Sequence, residues 1–303
     1  MRPLRSLLLG DCDHYLSPYI FGVAQGMTRL GHWHSSVNIR QRAEVIEQRI
    51  ADVRPDVLWT HMLLWAPGGA PSTPDLLGIV ERAAKRGARV IVHDGDYKPA
   101  TRHPHALPWC ALALCNHRFD RSAWKCPTLF WPYFAFAQDR IAEHDPRLAC
   151  DLFFAGSISR DPVYAARTRL LDGLLSRRVK LRTPEPADGN TLFRTAEIAA
   201  SSEAVLGFGR PGVSGWVDTR VFQYPGAGGI LLHDDVAGYL EPWVHFVPYQ
   251  SGIPESVLDA LGRLRAMQAT GVYAIRKWAF AYVQDKHSSI ARVAQVLAAL
   301  ELR

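Results

Sequence analysis

The chain has 303 residues, 48% of them hydrophobic and 21% charged. That is too apolar for an intrinsically disordered chain and long enough for two compact domains. Basic residues outnumber acidic ones by 35 to 29, a net charge of +6; so small and scattered an excess favours an anionic ligand without forming the basic tail or stripe of a nucleic-acid binder. Arginine supplies 29 of the 35 basic residues, while nine of the 12 histidines and all five cysteines precede residue 151. The planar fork of arginine suits phosphate and carboxylate, although a GC-rich genome produces the same bias.

The start, MRPLRSLLLGDCDHY, has an apolar run too short for a signal-peptide core and reads as a first strand. No uninterrupted apolar stretch approaches the roughly 20 residues that cross a bilayer, so no transmembrane segment is expected. Cys12, Cys110, Cys115, Cys126 and Cys150 form no CxxC pair, which points to buried free thiols and a cytoplasmic location. Cys110, Cys115 and His117 lack the paired spacing of a structural zinc site.

In chain order, Ser6 to Leu9 predicts a buried strand, Ile20 to Leu30 a helix, His32 to Val37 a strand, Ile39 to Ala51 a helix and Asp56 to Thr60 a strand. Pro74 to Lys85 predicts a helix stopped by Gly87, Ala88 to Val92 a strand, and Ala111 to Leu114 another. This alternation indicates parallel sheet covered by helices. The polar stretch Ala142 to Cys150 places a domain boundary near residue 148.

The alternation then restarts. Leu152 to Phe154 predicts a strand, Asp161 to Leu175 a helix, Val179 to Leu181 a strand, Thr195 to Ala200 a helix and Ala204 to Phe208 a strand. Asp218 to Tyr224 predicts a helix and Ile230 to Leu232 a strand. Helices dominate from Pro254 to Met267, Val272 to Lys286 and Ser288 to Leu300.

Gly156 and Ser157 directly follow a predicted strand, where backbone N–H groups can hold a phosphate, with Arg160 able to close over it. A purely structural turn is the other reading of that dipeptide. The Gly-rich stretch GFGRPGVSGWVDTRVFQYPGAGG brings Arg210, Ser214 and Arg220 to one surface as a diphosphate cradle, with Gln223 and Tyr224 placed for a ribose or sugar. Alternatively Arg220 forms a salt bridge and Tyr224 enters the core.

These residues carry a resemblance. FFAGS, DTRVFQYPGAGGILLHDD, HFVPYQS and HSSIARVAQVL resemble, in order, segments of the C-terminal domain of spore-maturation-type bacterial glycosyltransferases. The resemblance is strongest from Asp151 to Leu300 and looser before it, where FWPYF and RGARVIVHDGD carry it. It implies an α/β, GT-B-like architecture with two Rossmann-like domains whose parallel sheets face a central cleft. Residues 1–148 form the acceptor-side domain, and 149–303 the nucleotide-sugar-binding domain with terminal helices able to pack back on the first. Gly156, Ser157 and Arg220 then lie near the donor diphosphate, with Arg160 a further contact. Gln223 stands where that family usually has a glutamate on the donor ribose; an amide keeps hydrogen bonding but not the charge.

For acceptor activation, Asp11, Asp13 and His14 follow the first strand, and His93, Asp94 and Asp96 a later one; loops at strand ends converge on clefts. His14 or Asp94 can accept a hydroxyl proton, while helix capping or surface exposure is the ordinary alternative. His117 with Arg118, and Lys286 with His287, are further positive groups for a leaving phosphate. The carboxylates of DGD at 94–96 lack the ligand count of a dedicated metal site.

The sequence therefore leads to transfer of a sugar from a nucleotide diphosphate donor to the hydroxyl or amine of a small-molecule, glycan or protein acceptor, with no cofactor and no protein-held metal. The rival readings are a catalytically inactive nucleotide-sugar-binding module, suggested by Gln223, and a DNA-modifying glycosyltransferase, suggested by the arginine content.

Overall fold

The computed structural model describes residues 2–10, 17–61, 73–94, 107–115, 124–156, 165–184, 192–209, 217–236 and 238–302. The chain divides into two compact units, Met1–Tyr133 with Ser289–Arg303, and Phe134–Ser288.

In the first unit the elements are β1 (Arg5–Gly10), α1 (Ser17–Arg29), β2 (Trp33–Asn38), α2 (Ala43–Val53), β3 (Val57–His61), α3 (Thr73–Lys85), β4 (Arg89–Asp94), β5 (Leu112–Cys115) and β6 (Thr128–Phe130). The six strands are parallel in the order β2-β1-β3-β4-β5-β6. Leu7, Leu8 and Leu9 are fully buried, as are Val90, Ile91 and Val92. Both faces of these strands are covered, which is why they read as continuous apolar runs rather than alternating ones.

Two elements differ most from the sequence expectation. The second helix begins at Ala43, not Ile39, because the Asn38 side chain accepts the Arg40 N–H (2.9 Å) and holds a turn there. The short edge strand β6 carries no distinct periodicity and was not anticipated.

The last helix, α9 (Ser289–Ala299), belongs to this unit. Ser289 Oγ donates to Gln25 Oε1 (2.6 Å), and the Trp131 indole N–H donates to the Arg292 carbonyl (3.0 Å).

The second unit starts at Phe134, whereas composition placed a boundary near 148. Long-range hydrogen bonds hold the intervening segment to this unit: Ala135 N–H to His287 O (2.9 Å), Gln138 N–H to Gln284 Oε1 (3.1 Å) and Ala142 N–H to Ala227 O (3.1 Å). A polar composition such as AEHDPRLAC does not reveal such pairings.

The elements that follow are β7 (Leu152–Phe153), α4 (Ala165–Ser176), β8 (Leu181–Arg182), α5 (Leu192–Ser201), β9 (Ala204–Leu206), α6 (Arg220–Ala227), β10 (Leu231–His233), β11 (Val247–Pro248), α7 (Pro254–Ala266) and α8 (Ala269–His287). The parallel sheet runs β11-β10-β9-β7-β8. One face packs Leu152, Phe154, Leu206 and Leu232 against α4 and α7; the other packs Phe153, Val205 and Leu231 against α5 and α6. Helix α6 continues three residues beyond Tyr224, through Pro225, and ends at Gly228 in the left-handed region (φ +91°). Only glycine takes that conformation without strain, and a Cβ at Gly228 would also overlap Ile141.

Candidate functional site

The sheet of the second unit has a topological switch between β7 and β9. The chain leaves β7 for β8 on one side, and β9 lies on the other. Loops at the carboxyl ends of such strands part and leave a crevice, the usual ligand position in open α/β sheets. Residues at this edge are Ala155 and Gly156 after β7, Gly207 to Gly209 after β9, the start of α6, His233 to Asp235 on and after β10, and Tyr249 after β11.

Arg220, the first residue of α6, is the central cation. Its Nε donates to Asp218 Oδ2 (2.9 Å), Nη2 lies 2.6 Å from the same oxygen, and Nη1 donates to the Ala155 carbonyl (3.3 Å). Asp218 Oδ1 accepts the Arg220 backbone N–H (2.8 Å), so one carboxylate opens the helix and fixes the guanidinium. The two side chains are only 12% and 14% exposed. Burial pushes the Asp218 carboxyl upward, but Arg220 outweighs it and holds the group below its ordinary value. Burial likewise pulls Arg220 down while Asp218 raises it, and the net shift is upward. Both directions describe a pair that is charged when folded. A guanidinium carries more N–H donors than these bonds use.

Gly156 is closely covered by two side chains. A Cβ there would overlap the Arg220 guanidinium and come 2.9 Å from Phe154 Cε2. The Arg220 guanidinium carbon lies 5.8 Å from the Phe154 ring centre. A second arginine, Arg167 in the first turn of α4, lies over Phe154 (5.6 Å) and Phe208 (5.3 Å). Tyr249 completes this side, its hydroxyl donating to the Gly207 carbonyl (2.8 Å) and its pKa raised by burial.

Tyr224 lies in the core. It is 1% exposed, its ring meets Phe153 edge-on at 5.9 Å, and burial raises its pKa. Gln223, one residue earlier, is half-buried and lines a recess with Phe136, Gln138, Thr195 and Ala196. The structure thus brings Gly156, Arg220 and Tyr224 together, whereas Gln223 lies in the recess beside Phe136 and Thr195. Ser157, Arg160, Arg210 and Ser214 lie outside the described residues.

His233 ends β10 and is 1% exposed. Its Nδ1 accepts the Asp235 N–H (3.0 Å). The same nitrogen is 3.3 Å from Asp234 Oδ1, but this is no ion pair: burial lowers the pKa and an accepting Nδ1 carries no proton. Asp234 Oδ1 instead accepts the Gly209 N–H (2.6 Å) and closes the loop after β9.

Of the acceptor-side candidates, Asp94 is the last residue of β4 and pairs in register with Cys115. Its neighbour His93 is fully buried, stacked on Tyr19 at 4.5 Å and edge-on to Trp131 and Tyr133, a core position. His14, His117 and Arg118 lie outside the described residues. Lys286 is exposed and pairs with Asp285 (2.9 Å), whereas His287 is buried and stacks on Phe222 at 4.1 Å.

Cys110 and Cys115 are buried free thiols. Among the described residues no group of three or more His, Cys, Asp or Glu side chains is arranged to hold a metal, and no helix is long and apolar enough to cross a membrane.

Sequence reasoning singled out neither Arg167, His233, Asp234 nor Tyr249. The signal for His233 and Asp234 was a polar triplet directly after an apolar strand, the same rule that identified Gly156; Arg167 and Tyr249 carry no comparable local mark.

Residues 184–298 match the family model described as "Glycosyl transferase-like". No curated protein matches the chain. Among solved structures, a glycosyltransferase from Rickettsia africae ESF-5 is similar with a TM-score of 0.57 at 11% identity, covering 99% of this chain and 98% of that one. T4 phage BGT in complex with UDP-glucose gives 0.61 at 10% identity, with 99% and 100% covered. Anabaena Alr3699/HepE in complex with UDP-glucose gives 0.59 at 10%, with 98% and 99% covered. The chain has the α/β GT-B fold, and its residues 184–298 carry a glycosyl transferase-like segment.

Proposed function

We propose that this chain is a nucleotide-sugar-dependent glycosyltransferase that holds the donor diphosphate at the carboxyl edge of the second sheet, between Gly156 and the first turn of α6. The observation that carries the reading is Arg220, a charged guanidinium fixed by Asp218 beside a glycine that a side chain would close off. A preorganised cation at that point stabilises the charge that collects on the leaving diphosphate as the sugar bond breaks. Ser157, Arg160, Arg210 and Ser214 complete the cradle in this reading, and Gln223 serves the donor ribose through its amide. Tyr224, seated in the core, supports the Ala155–Gly156 turn.

The GT-B neighbours include proteins crystallised with UDP-glucose, which supports a nucleoside diphosphate sugar as the donor class. Acceptor activation is assigned to His14 or Asp94, either of which removes the acceptor proton in an inverting reaction. A cytoplasmic location and spore-maturation-type specificity belong to this same reading and rest on the sequence alone.

The test is product detection by mass spectrometry over a panel of nucleotide sugars and acceptors, comparing wild type with Arg220→Ala. Transfer or donor hydrolysis by wild type, reduced at least 100-fold in the variant, is expected; losing one oxyanion-type donor costs about 10²–10³ in rate. Donor binding without any turnover selects the inactive binding module. Salt-sensitive binding of duplex DNA, with sugar appearing on the DNA, selects a DNA-modifying enzyme.

A further inference from the structure

Among the polar groups at the carboxyl edge of the second sheet that the proposed function leaves unused, His233 has a buried nitrogen without a hydrogen-bond partner among the described residues. His233 is buried at the end of the apolar strand β10, and its Nδ1 accepts the Asp235 N–H. The ring proton therefore sits on Nε2. That nitrogen is buried and has no hydrogen-bond partner among the described residues. A leucine or valine would have continued the strand without leaving a donor unmade, and buried unsatisfied groups in native proteins generally have a reason.

Two features show that the imidazole is accommodated deliberately. The ring lies against Gly207, where a Cβ would overlap Cδ2 and come within 3.0 Å of Nε2. Side chains two apart on a strand share a face, and Leu231 packs in the cluster that contains Val221 and Phe222 of α6. His233 thus lies on the α6 side of the sheet, at its carboxyl edge. The charges it feels are those of the proposed donor site: the Asp218, Asp234 and Asp235 carboxylates and the Arg220 guanidinium.

We propose that the His233 Nε2–H is a donor-binding group, giving a hydrogen bond to an oxygen of the β-phosphate of the nucleotide sugar beside Arg220. This rests on the donor-site reading above and extends it to a residue outside the cradle. A neutral N–H suits the place, because it adds a directed hydrogen bond without placing a second buried cation beside Arg220. The β-phosphate is the leaving group when the sugar is transferred, so the bond strengthens as charge arrives there.

The test uses the full chain and calorimetric titration with the diphosphates and monophosphates of adenosine, guanosine, cytidine, uridine and thymidine. His233→Met keeps bulk and removes the donor; His233→Gln restores an N–H at a position close to that of Nε2. Wild type is expected to prefer one nucleoside diphosphate over its monophosphate. The Met variant should lose about 10- to 100-fold of that preference, the range for a hydrogen bond to a charged group, while its monophosphate affinity stays within about twofold; the Gln variant should recover most of it. A Met variant that keeps the full preference overturns the proposal and leaves Nε2 to a buried water, with the donor site intact. Failure of wild type to bind any of the nucleoside diphosphates overturns the donor-site reading and this proposal together.

Should the Met variant fail to fold, the wild-type imidazole N–H resonance, assigned by its absence from the Gln variant, decides the matter. It should shift on adding the preferred diphosphate and stay in place with the monophosphate; no shift with the diphosphate refutes the contact.

Discussion

Removing the Asp218 carboxylate tests the central electrostatic arrangement without reference to any ligand. In Asp218→Ala, Arg220 keeps its bond to the Ala155 carbonyl but is left as an uncompensated cation, 14% exposed. Breaking a buried pair by deleting one partner costs about 3–5 kcal/mol, and α6 also loses the acceptor for its first backbone N–H, which adds about 1 kcal/mol. Some residual hydration of Arg220 offsets part of this, so a loss of about 3 kcal/mol is expected. Hydrogen exchange read by mass spectrometry on peptides covering 204–209 and 231–236 localises the effect to the second unit. At tenfold per 1.4 kcal/mol, amides there that exchange through unfolding of the unit should exchange about 100-fold faster. Asp218→Ala combined with Arg220→Met leaves no lone charge and should recover most of the protection. Exchange within threefold of wild type in the single variant, or a double variant as damaged as the single, would refute the assignment of Arg220 as a buried charge held by Asp218.

Two further outcomes follow from the His233 seat. Gly207→Ala drives a methyl group into the imidazole and towards Leu231 Cδ1 at 3.2 Å; overpacking of this kind costs about 1–3 kcal/mol, so the melting temperature of the second unit should fall by several degrees, and an unchanged melting curve contradicts the close approach. Burial lowers the His233 pKa below its ordinary 6.5, so the unfolded chain binds the proton more readily than the folded one. Its contribution to stability is fully present above pH 6.5 and declines as pH falls from there towards the folded value. Urea unfolding between pH 7.5 and 5 should therefore show a steeper acid loss in wild type than in His233→Gln; parallel curves would mean that His233 is not held neutral.

The alternation of strand and helix was legible because parallel strands buried on both faces leave unbroken apolar runs such as SLLLG, RVIV and GILL. The approach of Arg220 to Gly156 was legible in part for a related reason: a turn after such a strand and the helix start facing it lie at one sheet edge, and Arg220 opens that helix. The division at Tyr133 was hidden, because hydrogen bonds from Ala135, Gln138 and Ala142 to residues 85 or more positions away fix it. The extension of α6 past Pro225 was hidden by a residue that usually stops helices. His233 escaped notice because its importance depends on Gly207, 26 residues earlier, and on pairing between two strands that sequence spacing does not specify.

The central claim is that the second unit holds a nucleotide diphosphate between Gly156 and Arg220. It is tested most directly by an electron-density map from crystals grown with the nucleoside diphosphate that binds most tightly in the titration series. The account predicts diphosphate density within hydrogen-bond distance of the Arg220 guanidinium and the Gly156 backbone at the carboxyl edge of β7. Diphosphate density at any other place on the chain, with that edge empty, would contradict it.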